Sequence, residues 1–303
     1  MRSIWIAPRR PDRARHGRWG AAVVLAAVVF GVPSHASGQE LEPGAYWPLP
    51  AGLNIVTVIT GVNWGDVSFD PALQVEDADA TLVTLTTAYN RAFGLAGRSA
   101  NVSAALPIIG GHLSGLLHGV PAAVDRIGLG DPRVKLAVNL FGAPVMTPGT
   151  FRSYRQGRIV GVSITVVPPL GQYDRQRFVN LGSHRWSFKP EVGYSQARGK
   201  WVFEAMCGVW LFTDNDAFAP DRTREQDPVL ATQFHLTHRF TPGMWLSANA
   251  NFYVGGRTTV DGQANLDLQR NSRVGMTFSK ALRRGHAIRV AVSQGAYTTI
   301  GAD

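Results

Sequence analysis

The sequence predicts an all-β protein, a transmembrane antiparallel up-and-down β-barrel of about 12 strands. Three observations carry that expectation. About eleven segments of strand length alternate apolar and polar residues at period two. Tight turns and long polar loops alternate between them. A secretory leader precedes them all. A soluble sandwich has little reason to sort its connections by length. A barrel does, because its periplasmic rim carries short turns and its outer rim long loops.

The leader comes first. Residues 1–36 hold a basic start, an apolar run over Ala21–Val32, and Ser34-His35-Ala36 with small residues where a signal peptidase reads. Cleavage is expected before Ser37, which leaves 37–303 as the barrel. The apolar run is too short to cross a bilayer as a helix, which takes about 20 residues. The leader also explains the charge. The formal net charge of +9 looks like a nucleic-acid signature, but six arginines lie in the first eighteen residues. After Ala36 there are 24 Lys and Arg against 20 Asp and Glu, so no nucleic-acid partner is expected.

Composition agrees with a barrel. A mean hydropathy of −0.03 is far too low for a helical membrane protein. A barrel strand needs an apolar residue only at every second position. The single cysteine, Cys207, excludes an internal disulfide and falls on an apolar stripe with Phe203 and Val209.

The strands follow in order: Leu53–Trp64, Thr81–Phe93 and Ser99–Ile109, then Arg133–Phe141, where Val134, Leu136, Val138 and Leu140 oppose Lys135, Ala137 and Asn139. In Arg158–Val167, Val160, Val162, Ile164 and Val166 oppose Gly161, Ser163 and Thr165. In Arg185–Gln196, Trp186, Phe188, Val192 and Tyr194 oppose Ser187, Lys189, Glu191, Gly193 and Ser195. Trp201–Phe212, Pro228–Phe240, Met244–Val254, Asn271–Lys280 and His286–Ile300 complete the set. Many of these segments have the nine to eleven residues a tilted strand needs to cross a bilayer.

The tight turns are Ala197–Lys200, Thr241–Gly243 and Leu282–Gly285. The long loops are Gly65–Ala78, Gly111–Gly128, Gln172–Ser183, Asp214–Asp227 and Gly255–Gln269. One periplasmic connection, Gly142–Gly157, breaks the rule, and a short helix is expected within Pro148–Gln156. Tyr46, Trp47, Trp64, Trp186, Trp201, Trp210, Phe212, Phe240 and Trp245 sit near strand ends, as interface girdles would. The last strand runs outward, so the closing strand of the expected twelve is missing from this chain.

Several stretches carry a family resemblance. They are Leu41-Glu42-Pro43-Gly44-Ala45-Tyr46, Gly130-Asp131-Pro132-Arg133, Pro169-Leu170-Gly171-Gln172-Tyr173-Asp174, and the run Asn180 to Glu191. Thr223 to Pro228, Gly255 to Gly262 and Arg270-Asn271-Ser272-Arg273 complete them. In these the chain resembles the outer-membrane transporter family labelled by the MetA-pathway of phenol degradation. The resemblance covers nearly the whole chain after the leader. It implies a barrel of about twelve strands and uptake of small, often aromatic or apolar compounds.

No motif points to catalysis. Gly128-Leu129-Gly130-Asp131 lacks the Lys and Ser/Thr of a phosphate loop. Asp214-Asn215-Asp216 lacks the Gly and Glu spacing of a calcium loop. His235 and His238 are three apart on a strand and face opposite sides, so they cannot share a metal. Ser183-His184 has no identifiable third partner. No enzyme, metal or cofactor is expected.

The candidate site is the polar strand face: Lys189, Glu191, Glu204, Gln233, His235, Arg239 and Arg273. In a barrel these line the lumen, where they form a solute path or a salt-bridged plug. A second cluster, Arg222, Arg224, Glu225 and Asp227, is expected to pair with Arg257, Asp261, Arg270 and Arg273 across two long loops. The expected function is passive transport of small solutes across the bacterial outer membrane, with lipid around the barrel. The alternatives are a structural or adhesive barrel with a plugged lumen and a soluble periplasmic β-protein.

Overall fold

The structure is a computed structural model. It describes residues 42–66, 75–218 and 221–298, and the backbone of 22–31. Its strands are β1 (Ala22–Gly31), β2 (Asn54–Asp66), β3 (Val75–Leu95), β4 (Arg98–Leu117), β5 (Val120–Leu129), β6 (Arg133–Phe141), β7 (Arg158–Val167), β8 (Ser187–Arg198) and β9 (Trp201–Phe212). They continue with β10 (Asn215–Phe218), β11 (Arg222–Gln226), β12 (Val229–Thr241), β13 (Met244–Gly255), β14 (Thr258–Val260), β15 (Gln263–Ala264), β16 (Gln269–Ala281) and β17 (Ala287–Tyr297). One helix is described, α1 (Pro148–Ser153), inside the long Gly142–Gly157 connection where a helix was expected. Thr147 caps its N-terminus by accepting from the Thr150 N–H.

Twelve of these strands close a ring. It runs β1-β2-β3-β4-β6-β7-β8-β9-β12-β13-β16-β17 and returns to β1. Ten of the ring's pairings are antiparallel. The other two are the parallel pairings of β1 with β2 and with β17. The reason is parity. Eleven up-and-down strands leave β2 and β17 running the same way, so any strand lying between them antiparallel to both would have to return. Ala22–Gly31 occupies that place instead, parallel to both neighbours.

The polarity of the wall is the reverse of a soluble core. Val162, Ile164, Phe203, Phe234, Leu236, Phe252 and Met276 are all exposed on the outside. Lys189, Glu204, Gln233, His235 and Asn251 are buried, each at 2% exposure or less. Cys207 is exposed on the outer face. Trp64, Trp186, Trp201 and Phe240 also stand outside, toward the strand ends. Other predicted girdle residues do not. Tyr46, Trp210 and Trp245 are buried on the lumen side, and Trp47 packs edge-on against Trp245 with ring centroids 5.6 Å apart. An aromatic at a strand end fits either face, and period two assigns Trp245 to the face of Ser247 and Asn249.

The connections sort as the sequence predicts, with one correction. The turns Ala96-Gly97, Gly199-Lys200 and Pro242-Gly243, and the 3₁₀ turn Arg283–Gly285, mark one rim. The opposite rim carries the extended connections. Gly111–Gly128 is no loop, however. β4 continues through it and returns as β5 over the two-residue turn His118-Gly119. Both turn residues have positive φ, 52° and 76°, which matches the right-handed twist of a hairpin. His in place of the usual Asn or Asp hid the turn from the sequence reading.

A lumen held by an inward-folded segment

The segment from Glu42 to Leu53 rises inside the barrel and is bonded to its wall. It joins the wall at the short-turn rim, where Gly52 N–H donates to Ala92 O and Ala92 N–H to Leu53 O. Higher up, the Tyr46 hydroxyl donates to Glu191 Oε1 at 3.1 Å and lies 3.2 Å from Ser163 Oγ. Asn139 Nδ2 donates to Tyr46 O at 3.2 Å. Gly44 N–H donates to Glu204 Oε2 at 2.9 Å, and Glu42 N–H to Gln233 Oε1 at 3.4 Å. Lys135 Nζ reaches Glu42 Oε2 at 2.9 Å and Glu191 Oε1 at 3.7 Å. Lys189 Nζ stands 3.1 Å from Glu191 Oε2. The Arg239 guanidinium lies 4.4 Å from the Trp47 ring centroid, a cation–π contact.

Two glycines make the room for this plug. Gly161 and Gly193 are direct partners across β7 and β8, both on the lumen face. A Cβ on Gly193 would come 2.0 Å from Tyr46 Cε2, and one on Gly161 2.3 Å from Tyr46 Cδ1. The ring of Tyr46 occupies the slot that the missing side chains leave. Glycine inside a strand is the signal of such a close approach.

The electrostatics of the plug are set by its one carboxylate. The Lys135 ammonium holds Glu42 down at about 2, against the effect of burial and with help from Lys189 and Arg289. Burial and the neighbouring Glu191 carboxylate push the Tyr46 phenol well above its usual range.

The structure places the predicted residues as follows. Lys189, Glu191, Glu204, Gln233, His235, Arg239 and Arg273 all face the lumen. Glu191, Glu204, Gln233 and Arg239 contact the plug directly, and Lys189 does so through Glu191. His235 Nδ1 lies 2.8 Å from Asn249 Oδ1, away from the plug. His238 faces outward and packs on Trp201, ring centroids 4.6 Å apart. Arg273 reaches Ser293 Oγ at 3.2 Å, so it belongs to the lumen and not to the loop cluster. Sequence reasoning missed Lys135 as a site residue, although its alternation with Val134 and Leu136 put it on the polar face. It also missed the plug, whose Tyr46 read as an interface aromatic.

The loop cluster is a small sheet, β10-β11-β14-β15, on the long-loop rim. β11 pairs with β14, Arg222 Nε stands 3.7 Å from Asp261 Oδ2, and Thr223 N–H donates to Asp261 Oδ1. Asp227 N–H donates to Arg257 O. Arg224 lies over the Phe218 ring, and Glu225 is exposed. Arg270 is corrected: it sits on β16 facing outward, opposite Val254. Period two decides this, since Asn271 and Arg273 take the lumen face. Another stretch of the resemblance orders a second loop. Asp131 accepts from Gly171 N–H, Ser183 N–H and Ser183 Oγ, at 2.6 to 2.8 Å.

Among the described residues no group of three or more His, Cys, Asp and Glu converges as a metal site. The fold is similar to the crystal structure of an outer membrane channel from Pseudomonas putida F1. The TM-score is 0.68 at 20% identity, covering 87% of this chain and 95% of that one. The comparison with curated proteins returned no match. The family described as "Putative MetA-pathway of phenol degradation" matches residues 60–296. That span takes in every wall strand from within β2 into β17, and the chain belongs to this family.

Proposed function

We propose that the protein is an outer-membrane channel for passive uptake of small solutes, aromatic and apolar compounds among them. The observation that carries this reading is the way the lumen is closed. A structural barrel can fill its interior with wall side chains packed on one another. Here a chain segment enters from one rim and is held by hydrogen bonds and ion pairs to groups that water or a solute can satisfy instead. The Glu42 side chain keeps 41% of its surface exposed inside the barrel, so the plug leaves space beside it. The family's printed description and the channel from Pseudomonas putida F1 support the same reading, as does the apolar outer face.

The leader completes the route. We propose that residues 1–36 direct export and are then removed, β1 with them, which leaves the other eleven ring strands as the wall; mass spectrometry of protein purified from outer membranes then finds Ser37 at the N-terminus. Liposome swelling and single-channel recording test transport. Solute flux through the folded barrel, larger when the plug is displaced, is the expected result. No flux from a heat-modifiable, folded barrel with or without its plug would leave the closed structural barrel as the function.

A further inference from the structure

We propose that the lumen passes small anions, carboxylates among them, in preference to cations. This rests on the transport reading above. On the wall strands described, six basic side chains face the lumen: Arg133, Lys135, Lys189, Arg239, Arg273 and Arg289. Their placement follows from strand parity and from their contacts. Arg133 and Lys189 lie over the buried Trp210 ring at 5.9 and 5.3 Å, and Arg289 over the buried Trp245 at 5.2 Å. Only two wall carboxylates face them, Glu191 and Glu204, and Glu42 of the plug adds a third. His235 and Tyr253 are further titratable groups on that face, and His235 adds positive charge when protonated.

The distribution matters as much as the excess. The three carboxylates all bond the plug or belong to it. The basic groups recur along the whole depth. Arg133 stands at the long-loop end of β6, and Arg239 and Arg289 near the short-turn ends of β12 and β17. A solute therefore meets positive charge at both ends of its path. Low-dielectric walls focus such a field on the pore axis, and rings of Arg and Lys are what anion pores use. Arg289 is exposed to the lumen space, so its charge is open to a passing ion.

The test is the reversal potential across a planar bilayer under a potassium chloride gradient. It uses the barrel purified from outer membranes and a Gly193→Val variant designed to displace the plug. The expected potential shifts toward the chloride equilibrium value, and further in the variant, because Glu42 leaves with the plug. Replacing chloride by benzoate keeps the sign. Arg289→Glu moves the potential back toward zero. Arg270→Glu, the same charge change on the outer face of the barrel, leaves it where it was. A potential at zero or on the potassium side, or an equal response to both substitutions, overturns anion preference while leaving transport standing. Absence of conductance in both proteins overturns transport and this proposal with it.

Discussion

The wall of the lumen is two surfaces. From β6 round to β13 it presents Lys135, Glu191, Lys189, Glu204, Gln233, His235 and Arg239. From β2 to β4 it presents uncharged residues, Thr57, Thr84, Thr86, Ala88, Ser103 and Ala105 with Ile59, Leu82 and Ile109 among them. The plug distinguishes them. Between Glu42 and Trp47 its polar contacts go to β6, β7, β8, β9 and β12. Lys189, Glu204 and His235 are accordingly at 1% exposure, whereas Thr84, Thr86 and Ala88 of β3 are only half-buried. The charged half is a docking surface for the plug. The neutral half, with the exposed Arg289 of β17 beyond it, borders the space that remains. A polar lumen face is thus no single feature, and a list of its charged residues describes the closure more than the path.

The sharpest way to break this division is to fill the slot under Tyr46. Gly193→Val puts side-chain atoms where the Tyr46 ring lies, on the docking half and without touching the outer face. Overpacking a fitted site costs up to about 3 kcal/mol, enough to favour the undocked plug. The expected result is a large rise in open-channel conductance with heat-modifiable mobility unchanged. A variant that conducts like the parent would mean that Tyr46 does not hold the plug.

Next in size is Lys135→Met. It keeps the length of the side chain and leaves Glu42 and Glu191 facing each other without their shared cation. Removing one partner of a buried pair costs about 3 kcal/mol. Part of Glu42 is open to solvent, so the effect on docking is expected below that. Open probability should rise, and adding Glu42→Gln should restore part of the closure, since the repulsion then disappears. Additive effects of the two changes would show that Lys135 and Glu42 are not coupled.

Acid should produce a milder opening. Glu42 is held at about 2 when docked, against an ordinary value near 4.5. A carboxylate whose docked value is depressed contributes stability that is present above the undocked value and is lost as pH falls toward the docked one. Closure is expected to be constant from pH 7 to 5 and to weaken progressively between about 4.5 and 2. Conductance recorded at pH 5 and 2.5 measures it. A pH response that survives Glu42→Gln would assign the effect to another group.

Much of this architecture was legible in the sequence, and the reasons for the misses are physical. Period two placed every one of the seven predicted lumen residues on the lumen side, because the pleat leaves a strand residue no other choice. The outer hairpin β4–β5 was lost because its turn uses His118 at a position where Asn or Asp is the usual signal. The plug was lost for a different reason. Glu42–Tyr46 has no period of its own, and its structure comes from contacts more than ninety residues away. Gly161 and Gly193 were the available clue, two strand glycines whose neighbours in the sequence put both on the polar face. The parallel strand β1 was unreadable for a third reason. Ala22–Gly31 reads as the apolar stretch of an export leader, and the same apolar, β-branched composition suits a strand, so composition cannot separate the two.

The smallest expected effect is the one that tests the comparison itself. Thr86→Val on β3 exchanges a hydroxyl for a methyl at nearly constant shape, on the neutral half and opposite Ile59. No plug residue from Glu42 to Trp47 bonds to it, so closure, thermal stability and pH response should all stay within about 0.5 kcal/mol of the parent. What should change is the path. A threonine that borders open lumen offers a passing solute a hydrogen bond, and valine does not. Flux of a polar solute through the Gly193→Val barrel is therefore expected to fall slightly when Thr86→Val is added, while flux of an apolar solute holds or rises. The matching change on the other half, Thr165→Val beside Lys189, lies at 0% exposure and should leave both fluxes alone. If Thr165→Val altered solute flux and Thr86→Val did not, the path would run along the charged half, and the plug would have to leave that surface entirely before anything could pass.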